Sequence, residues 1–410
     1  MHVTTPNGSS KTTRHDVFTY KAPPTITALS TATGPTKGGT KVTITGSGFS
    51  GITSVKFGGV SGTSLTVSSS KASLKVTAPK HAVGAVDVVV KGSYGAATLA
   101  NGFVYAAPAG WSSAQSTSRI DYLDGVSCVS STWCVGLSGE SGYASDGTDI
   151  GATVASIFNG TSWSATTEID GAGLYWVSCT STSFCAAVGD GSYSLYDGEH
   201  WSTPVPFDAN DELNSVSCTS DSFCAAADGN GTLYSFDGTS WTPQTVGATG
   251  LNLVGISCAS SSLCIAVGND ADLDNEAFVY DGSNWTENSP SSTTYTDLFE
   301  SVGCTPGTTE CVAVGYEGLS VTYDAGTWED QLTIPKGEDD VYEGISCPAS
   351  GSCFAVGQFE AAAQLSGGKW TRTAFGGDHT LSAISCSSST SCVVTGYDFN
   401  KPGSTYYVYS

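Results

Sequence analysis

Along most of this chain, apolar and polar positions alternate too quickly for helices. Short runs rich in Val, Ile, Tyr, Phe and Thr are closed off by Gly, Asp, Ser or Asn, the pattern of strands joined by tight turns. No window holds an apolar stripe at helical spacing with caps to begin and end it. From Leu123 onward the strand-like runs come in sets of four that recur roughly every 40 residues. In each set the first run ends in a cysteine, as in Leu123–Cys128, and the second begins with one, as at Cys134. The third ends in an aromatic-Asp-Gly turn: Tyr196-Asp197-Gly198, Phe236-Asp237-Gly238 and Tyr280-Asp281-Gly282, with Phe158-Asn159-Gly160 and Tyr323-Asp324 as variants and Leu365-Ser366-Gly367 as a decayed copy. The fourth begins at Trp163, Trp201, Trp241, Trp285, Trp328 or Trp370.

Four strands per unit and seven units predict a seven-bladed propeller over 108–410, in an all-β chain. The seventh unit ends at Tyr406–Ser410 without a fourth strand. The missing strand is expected at Gly110-Trp111-Ser112, so that one blade is shared by both ends and the ring leaves no open sheet edge.

The fourteen cysteines form seven close pairs: Cys128 with Cys134, Cys179 with Cys185, Cys218 with Cys224, Cys258 with Cys264, Cys304 with Cys311, Cys347 with Cys353, and Cys386 with Cys392. Each pair would lie across the hairpin of the two inner strands, where bridging is geometrically open. Zinc would need four convergent ligands, and a ring holds its pairs apart. Disulfides follow, each worth ~2–3 kcal/mol by loop entropy, in an oxidising compartment: secreted or at the cell surface.

Residues 22–107 carry no cysteine. The run Gly34-Pro35-Thr36-Lys37-Gly38-Gly39-Thr40-Lys41-Val42-Thr43-Ile44-Thr45-Gly46-Ser47-Gly48-Phe49, followed by Val55-Lys56-Phe57-Gly58, resembles an IPT/TIG domain, which implies an immunoglobulin-like β-sandwich acting as a spacer. Phe18-Thr19-Tyr20-Lys21-Ala22-Pro23 matches Phe103-Val104-Tyr105-Ala106-Ala107-Pro108, so residues 1–21 read as the tail of a preceding TIG repeat, with further repeats of the same protein as possible partners. No transmembrane run is present in the sequence, and membrane insertion is not expected.

Charge sharpens the division. Residues 1–107 hold ten bases and two acids, +8; residues 108–410 hold five bases and 36 acids, −31. So acidic a ring repels nucleic acid. The aromatic-Asp-Gly turns are similar to the Asp-box of sialidase propellers, though one residue shorter. The three arginines a sialidase site needs are missing, since the ring has only Arg119 and Arg372. The turns are therefore expected to be structural.

The turns and cysteine hairpins share one face, and the other face carries the variable loops, where function is expected. Aligning the repeats places Asp124, Tyr175, Asn214, Val254, Glu300, Glu343 and Ser382 at the channel mouth, with Trp176 the bulky member of a ring of small residues just inside. Trp176 is either a space-filler or a stacking platform. Tyr342, Asp378 and His379 complete the candidate binding set. Aromatic rings beside carboxylates suit a sugar. Asp270, Asp272, Asp274 and Glu276 alternate as in oxygen-ligand calcium loops, although they lack the turn glycine of an EF-hand, and a solvated loop stands beside that reading. No cofactor is otherwise expected. All cysteines are committed and Asp378-His379 alone makes no triad, so an enzyme is not the first expectation. The chain reads as an adhesin- or lectin-like binding module recognising a glycan or cell-surface protein. A repeat unit of a surface fibre, or a glycan hydrolase or lyase using ring carboxylates, are the alternatives.

Overall fold

The computed structural model describes residues 4–9, 21–35, 38–81, 84–106, 110–112, 115–116, 123–139, 153–169, 173–207, 212–247, 250–290, 297–329, 332–335, 340–373, 379–398 and 404–409. The chain divides into two compact units, Met1–Ala109 and Gly110–Ser410.

The first unit is an immunoglobulin-like sandwich. One sheet has the strand order Thr33–Pro35, Gly95–Ala106, Gly84–Gly92, Ile52–Phe57, Val60–Ser61; the other runs Thr25–Leu29, Lys41–Ser47, Ser73–Thr77, Thr63–Val67. Strand alternation turns Val42 and Ile44, Leu74 and Val76, Val88 and Val90, and Phe103 and Tyr105 into one core. The glycines of the sequence motif are steric requirements. A Cβ on Gly46 would lie 1.9 Å from the Thr25 carbonyl oxygen, and one on Gly34 would lie 2.3 Å from Thr40 Oγ1. Ahead of the sandwich, Thr4–Thr5 pairs with Gly8–Ser9. Most of the expected repeat tail, residues 10–20, lies outside the described residues.

The second unit is a seven-bladed propeller of four-stranded antiparallel sheets. The blades begin at Gly125, Leu174, Leu213, Asn252, Phe299, Tyr342 and His379 and are numbered first to seventh. The seventh is built from both ends of the ring: Gln115–Ser116 is its outer strand, with Gln115 opposite Tyr406 and Ser116 opposite Thr405. Trp111 bridges to Tyr409, and Ser112 exchanges bonds with Val408.

Each second strand is sandwiched between neighbouring blades, which is why it reads as a continuous apolar run. Cys185, Ala186, Ala187 and Val188 are fully buried, as are Cys264–Val267. The larger apolar clusters of the ring span two consecutive blades, as where Val135 and Leu137 of the first meet Leu174 and Ala187 of the second. In every blade but the sixth, where Leu365 takes its place, the repeat tryptophan sits on the aromatic near the end of the third strand of its own blade. Ring centroids are 5.2 Å apart for Tyr196–Trp201 and 5.1 Å for Phe236–Trp241, Tyr280–Trp285 and Trp111–Tyr409.

All seven cysteine pairs are disulfides between the two inner strands of one blade, as the spacing predicts. Cys128 is bonded to Cys134, Cys179 to Cys185, Cys218 to Cys224 and Cys258 to Cys264. Cys304 is bonded to Cys311, Cys347 to Cys353 and Cys386 to Cys392. The longer loop between Cys304 and Cys311 leaves its bridge in the same place, with Cα atoms 3.9 Å apart against 3.9–4.1 Å in the other six. The trailing cysteines Cys224, Cys311, Cys353 and Cys392 are the first or second residue of the buried second strands and are themselves buried.

A belt of serines ties the blades together beside these disulfides. Ser127, Ser178, Ser217, Ser257, Ser346 and Ser385, each just before a leading cysteine, accept the N–H of the next blade's leading cysteine at 2.9–3.0 Å. The seventh position is Gly303, which has no hydroxyl to offer Cys347.

Candidate functional site at the channel mouth

Each inner strand brings its first residues to the propeller axis. The small-residue ring just inside is there because the next blade's backbone crosses it closely. A Cβ on Gly125 would lie 2.3 Å from the Tyr175 carbonyl oxygen, and one on Gly255 would lie 3.2 Å from Ser301 Cα. Above it, Asp124, Tyr175, Trp176, Asn214, Val254, Glu300, Glu343 and Ser382 line one cavity of 510 Å³. The cavity leads toward a narrower channel space of 280 Å³ walled by the serine belt.

Interblade hydrogen bonds hold the rim. Asn214 Nδ2 donates to the Leu253 carbonyl at 2.8 Å, and Ser382 Oγ donates to that of Leu123 at 3.0 Å. Asp124 accepts the Gly139 N–H at 2.9 Å, and the Tyr175 hydroxyl lies 3.5 Å from Asp190 Oδ2. Trp176 is half-buried and packs against the cluster containing Val188, Leu213 and Val216 while one side lines the mouth. It is therefore both space-filler and cavity wall.

The electrostatics are one-sided. Asp124, Glu212, Glu300 and Glu343 line the cavity, and among the described residues no basic side chain does. Glu300 is pushed up to about 7, by burial first and by the neighbouring Glu343 second. Burial also raises Glu343, and a hydrogen bond from Gln358 Nε2 to its carboxylate opposes that rise. A carboxyl that titrates near neutrality can donate or accept a hydrogen bond at the same position.

The other expected residues fall elsewhere. Tyr342 does not reach the mouth: its side chain is fully buried beside Asp340 and Arg372, and its phenol is pushed up to about 12, chiefly by burial. Arg372 grips Asp340 with two bonds of 3.0 Å, so this arginine is structural. Asp378 lies outside the described residues, and His379 opens the inner strand of the seventh blade opposite Asp398. The four acids of the expected calcium loop are not brought together. Asp270 accepts the N–H groups of Asp272 and Asp274 within its own turn, and Glu276 accepts the Ser289 hydroxyl at 2.5 Å. Among the described residues no three His, Cys, Asp or Glu side chains gather as a metal would require. Glu212 comes from the acidic run 208–212 that the sequence places on the variable face, while Asn252 and Gln358 are site residues that sequence reasoning missed. Glu212 and Asn252 each stand two places before a residue that the repeat alignment did identify, Asn214 and Val254.

Residues 24–105 match the family model of the IPT/TIG domain. No curated protein matches the chain. Among solved structures the chain is similar to YCF48 bound to D1 peptide, at 14% identity and a TM-score of 0.54, over 73% of this chain and 96% of that one. It is also similar to the WD40 β-propeller domain of Doa1, at 12% identity and a TM-score of 0.56, over 74% of this chain and 97% of the other. The fold is a β-propeller. At these identities the likeness is one of architecture, and function has to be argued from the site.

Proposed function

We propose that this chain is a secreted or cell-surface binding module whose propeller recognises a glycan at the channel mouth, with the IPT/TIG domain as its spacer. The fold pair is that of a binding or scaffold module. The observation that carries the finer reading is the mouth cavity itself. It has the volume for one or two sugar rings, aromatic walls at Tyr175 and Trp176, and carboxylates from four blades. Rings stack on the C–H faces of a pyranose while carboxylates take its hydroxyls. Seven disulfides support an oxidising compartment. A glycan array followed by titration of any hit tests the reading. Trp176→Ala should weaken binding by about 1–3 kcal/mol with the ring still folded. Hits unaffected by Trp176→Ala and Glu300→Gln together would move the site elsewhere.

A second reading is favoured by one observation: Glu300 and Glu343 stand on adjacent blades with raised proton affinities, as an acid/base pair for glycoside hydrolysis would. Release of reducing ends from an array hit, lost in Glu300→Gln, would decide for an enzyme. A protein ligand is the third possibility; YCF48, similar in fold, has a peptide bound.

A further inference from the structure

A cavity larger than the mouth lies at the other end of the blades. It is a groove of 690 Å³ at the opposite end of the second blade's inner strand, between the hairpin tips of the second and third blades and the turn before Trp201. Its floor is aromatic: Phe184, Tyr196 and Trp201, with Phe184 and Trp201 half-buried. Its rim carries Asp197, His200 and Asp221.

The repeat shows that this rim is not demanded by the fold. Between the turn glycine and the tryptophan, the first, third and fourth blades carry Thr161-Ser162, Thr239-Ser240 and Ser283-Asn284; the second carries Glu199-His200. The turn folds the same way in each. Asp197 Oδ1 accepts the N–H groups of Glu199 and His200 at 2.9 and 2.7 Å, as Asp237 Oδ1 accepts those of Thr239 and Ser240 at 2.9 and 2.8 Å. In the hairpin, the residue three places after the leading cysteine is Ser131, Thr182, Ser261, Gly307, Ser350 or Ser389 in the other blades and Asp221 in the third. Two departures from the repeat, on different blades, meet in one groove. Both put an exposed ionisable side chain where most blades keep a small residue or an amide; the sixth blade has its own departure, Lys369 before Trp370, but no acid in its neighbouring hairpins at the Asp221 position. The backbone bonds of the turn account for Asp197 and make no use of the His200 and Asp221 side chains.

We propose that this groove is a second ligand site and that it takes a neutral pyranose. The aromatic floor meets the C–H face of the ring, and the carboxylates and imidazole of the rim take its hydroxyls. Two carboxylates exclude an acidic sugar. Because the groove and the mouth lie at opposite ends of one strand, a single propeller joins two glycan-bearing surfaces instead of gripping one twice.

The test uses the whole chain with the mouth silenced by Trp176→Ala and Glu300→Gln. Saturation-transfer NMR with millimolar glucose, galactose, mannose and N-acetylglucosamine should show at least one of them bound. Adding His200→Ser and Asp221→Ser, residues that other blades carry at these places, should weaken that sugar by about tenfold or more. Silence of all four sugars in the mouth-silenced chain overturns the proposal, as does a bound sugar indifferent to the double reversion. The reciprocal protein, with the groove reverted and the mouth intact, reports on the mouth reading alone, so the two can fail separately.

Discussion

Glu300→Gln tests the electrostatics of the mouth directly. Folding lifts this carboxyl from 4.5 to about 7, through burial and then Glu343. The folded chain therefore holds this proton more tightly than the unfolded chain does. Where the folded state binds more protons, stability falls as pH rises. The contribution is intact below about 4.5 and is lost as pH climbs through about 7. Each tenfold in proton affinity is worth about 1.4 kcal/mol, so roughly two and a half decades give an upper bound of about 3 kcal/mol. The group is only half-buried at a mouth that opens to solvent, and screening there reduces the figure to about 1–2 kcal/mol. Glutamine keeps the shape and removes the charge. The variant should match the parent at pH 5 and exceed it at pH 8 by that amount, which for a unit of this size is about 1.5–2 °C in Tm per kcal/mol. Thermal scans from pH 5 to 8 without reductant measure this. Glu343→Gln removes the charge that raises Glu300 and should shift part of the slope to lower pH. Identical pH slopes for the parent and Glu300→Gln would refute the account.

Non-reducing peptide mapping should recover seven bridges, each between nearest cysteines, and bridges between blades would contradict the fold. Each closes a short loop, so reduction of any one should cost about 2–3 kcal/mol. Deleting residues 110–116 removes the outer strand of the shared blade, with the Trp111 bridge to Tyr409. It should lower the melting of the whole ring in one transition, and unchanged melting would show that closure lies elsewhere. Asp340→Ala leaves Arg372 without its bidentate partner next to a fully buried Tyr342. It should destabilise by about 1–3 kcal/mol in urea titration, whereas a mutant as stable as the parent would mean the pair contributes nothing.

The blades are legible because disulfide, turn and tryptophan recur at constant offsets, and aligning them places first-strand residues at one height. That alignment identifies Asp124, Tyr175, Trp176, Glu300 and Glu343 as neighbours at the mouth. It fails where position depends on a loop rather than on the ladder. Tyr342 is a different case, because the ladder itself turns it inward: it takes the repeat position of Leu123, Leu174, Leu213, Leu253, Phe299 and Leu381, all of them buried, one residue before the mouth position of Glu343. Gln358 comes from a short irregular turn around Phe359, whose φ of 52° no strand pattern announces. Asp270 looks like a ligand because its carboxylate is conspicuous in sequence, while its use in closing its own turn is visible only in the backbone. The groove at Trp201 escapes a sequence reading for the opposite reason. Its face repeats so regularly that Glu199-His200 passes for one more turn.

The belt of serines has six links, and the open position, Gly303, falls between the fifth and sixth blades. At the other end of that same interface stand Glu300 and Glu343, two carboxyls whose joint ionisation is unfavourable. Contacts that cross the seam include the Glu310 carboxylate, which accepts from Ser350 and Gly351, and Trp370, whose Nε1 donates to Ser320 Oγ at 3.0 Å. A closed ring of near-identical joints would have no preferred place to part. This one has a fault line. Raising the pH loads it from above by charging the pair, while the missing hydroxyl takes one stitch away beside the disulfides. Amide exchange in the strands Phe299–Cys304 and Tyr342–Ala349 should quicken with pH beyond the intrinsic rate before the other joints of the ring respond.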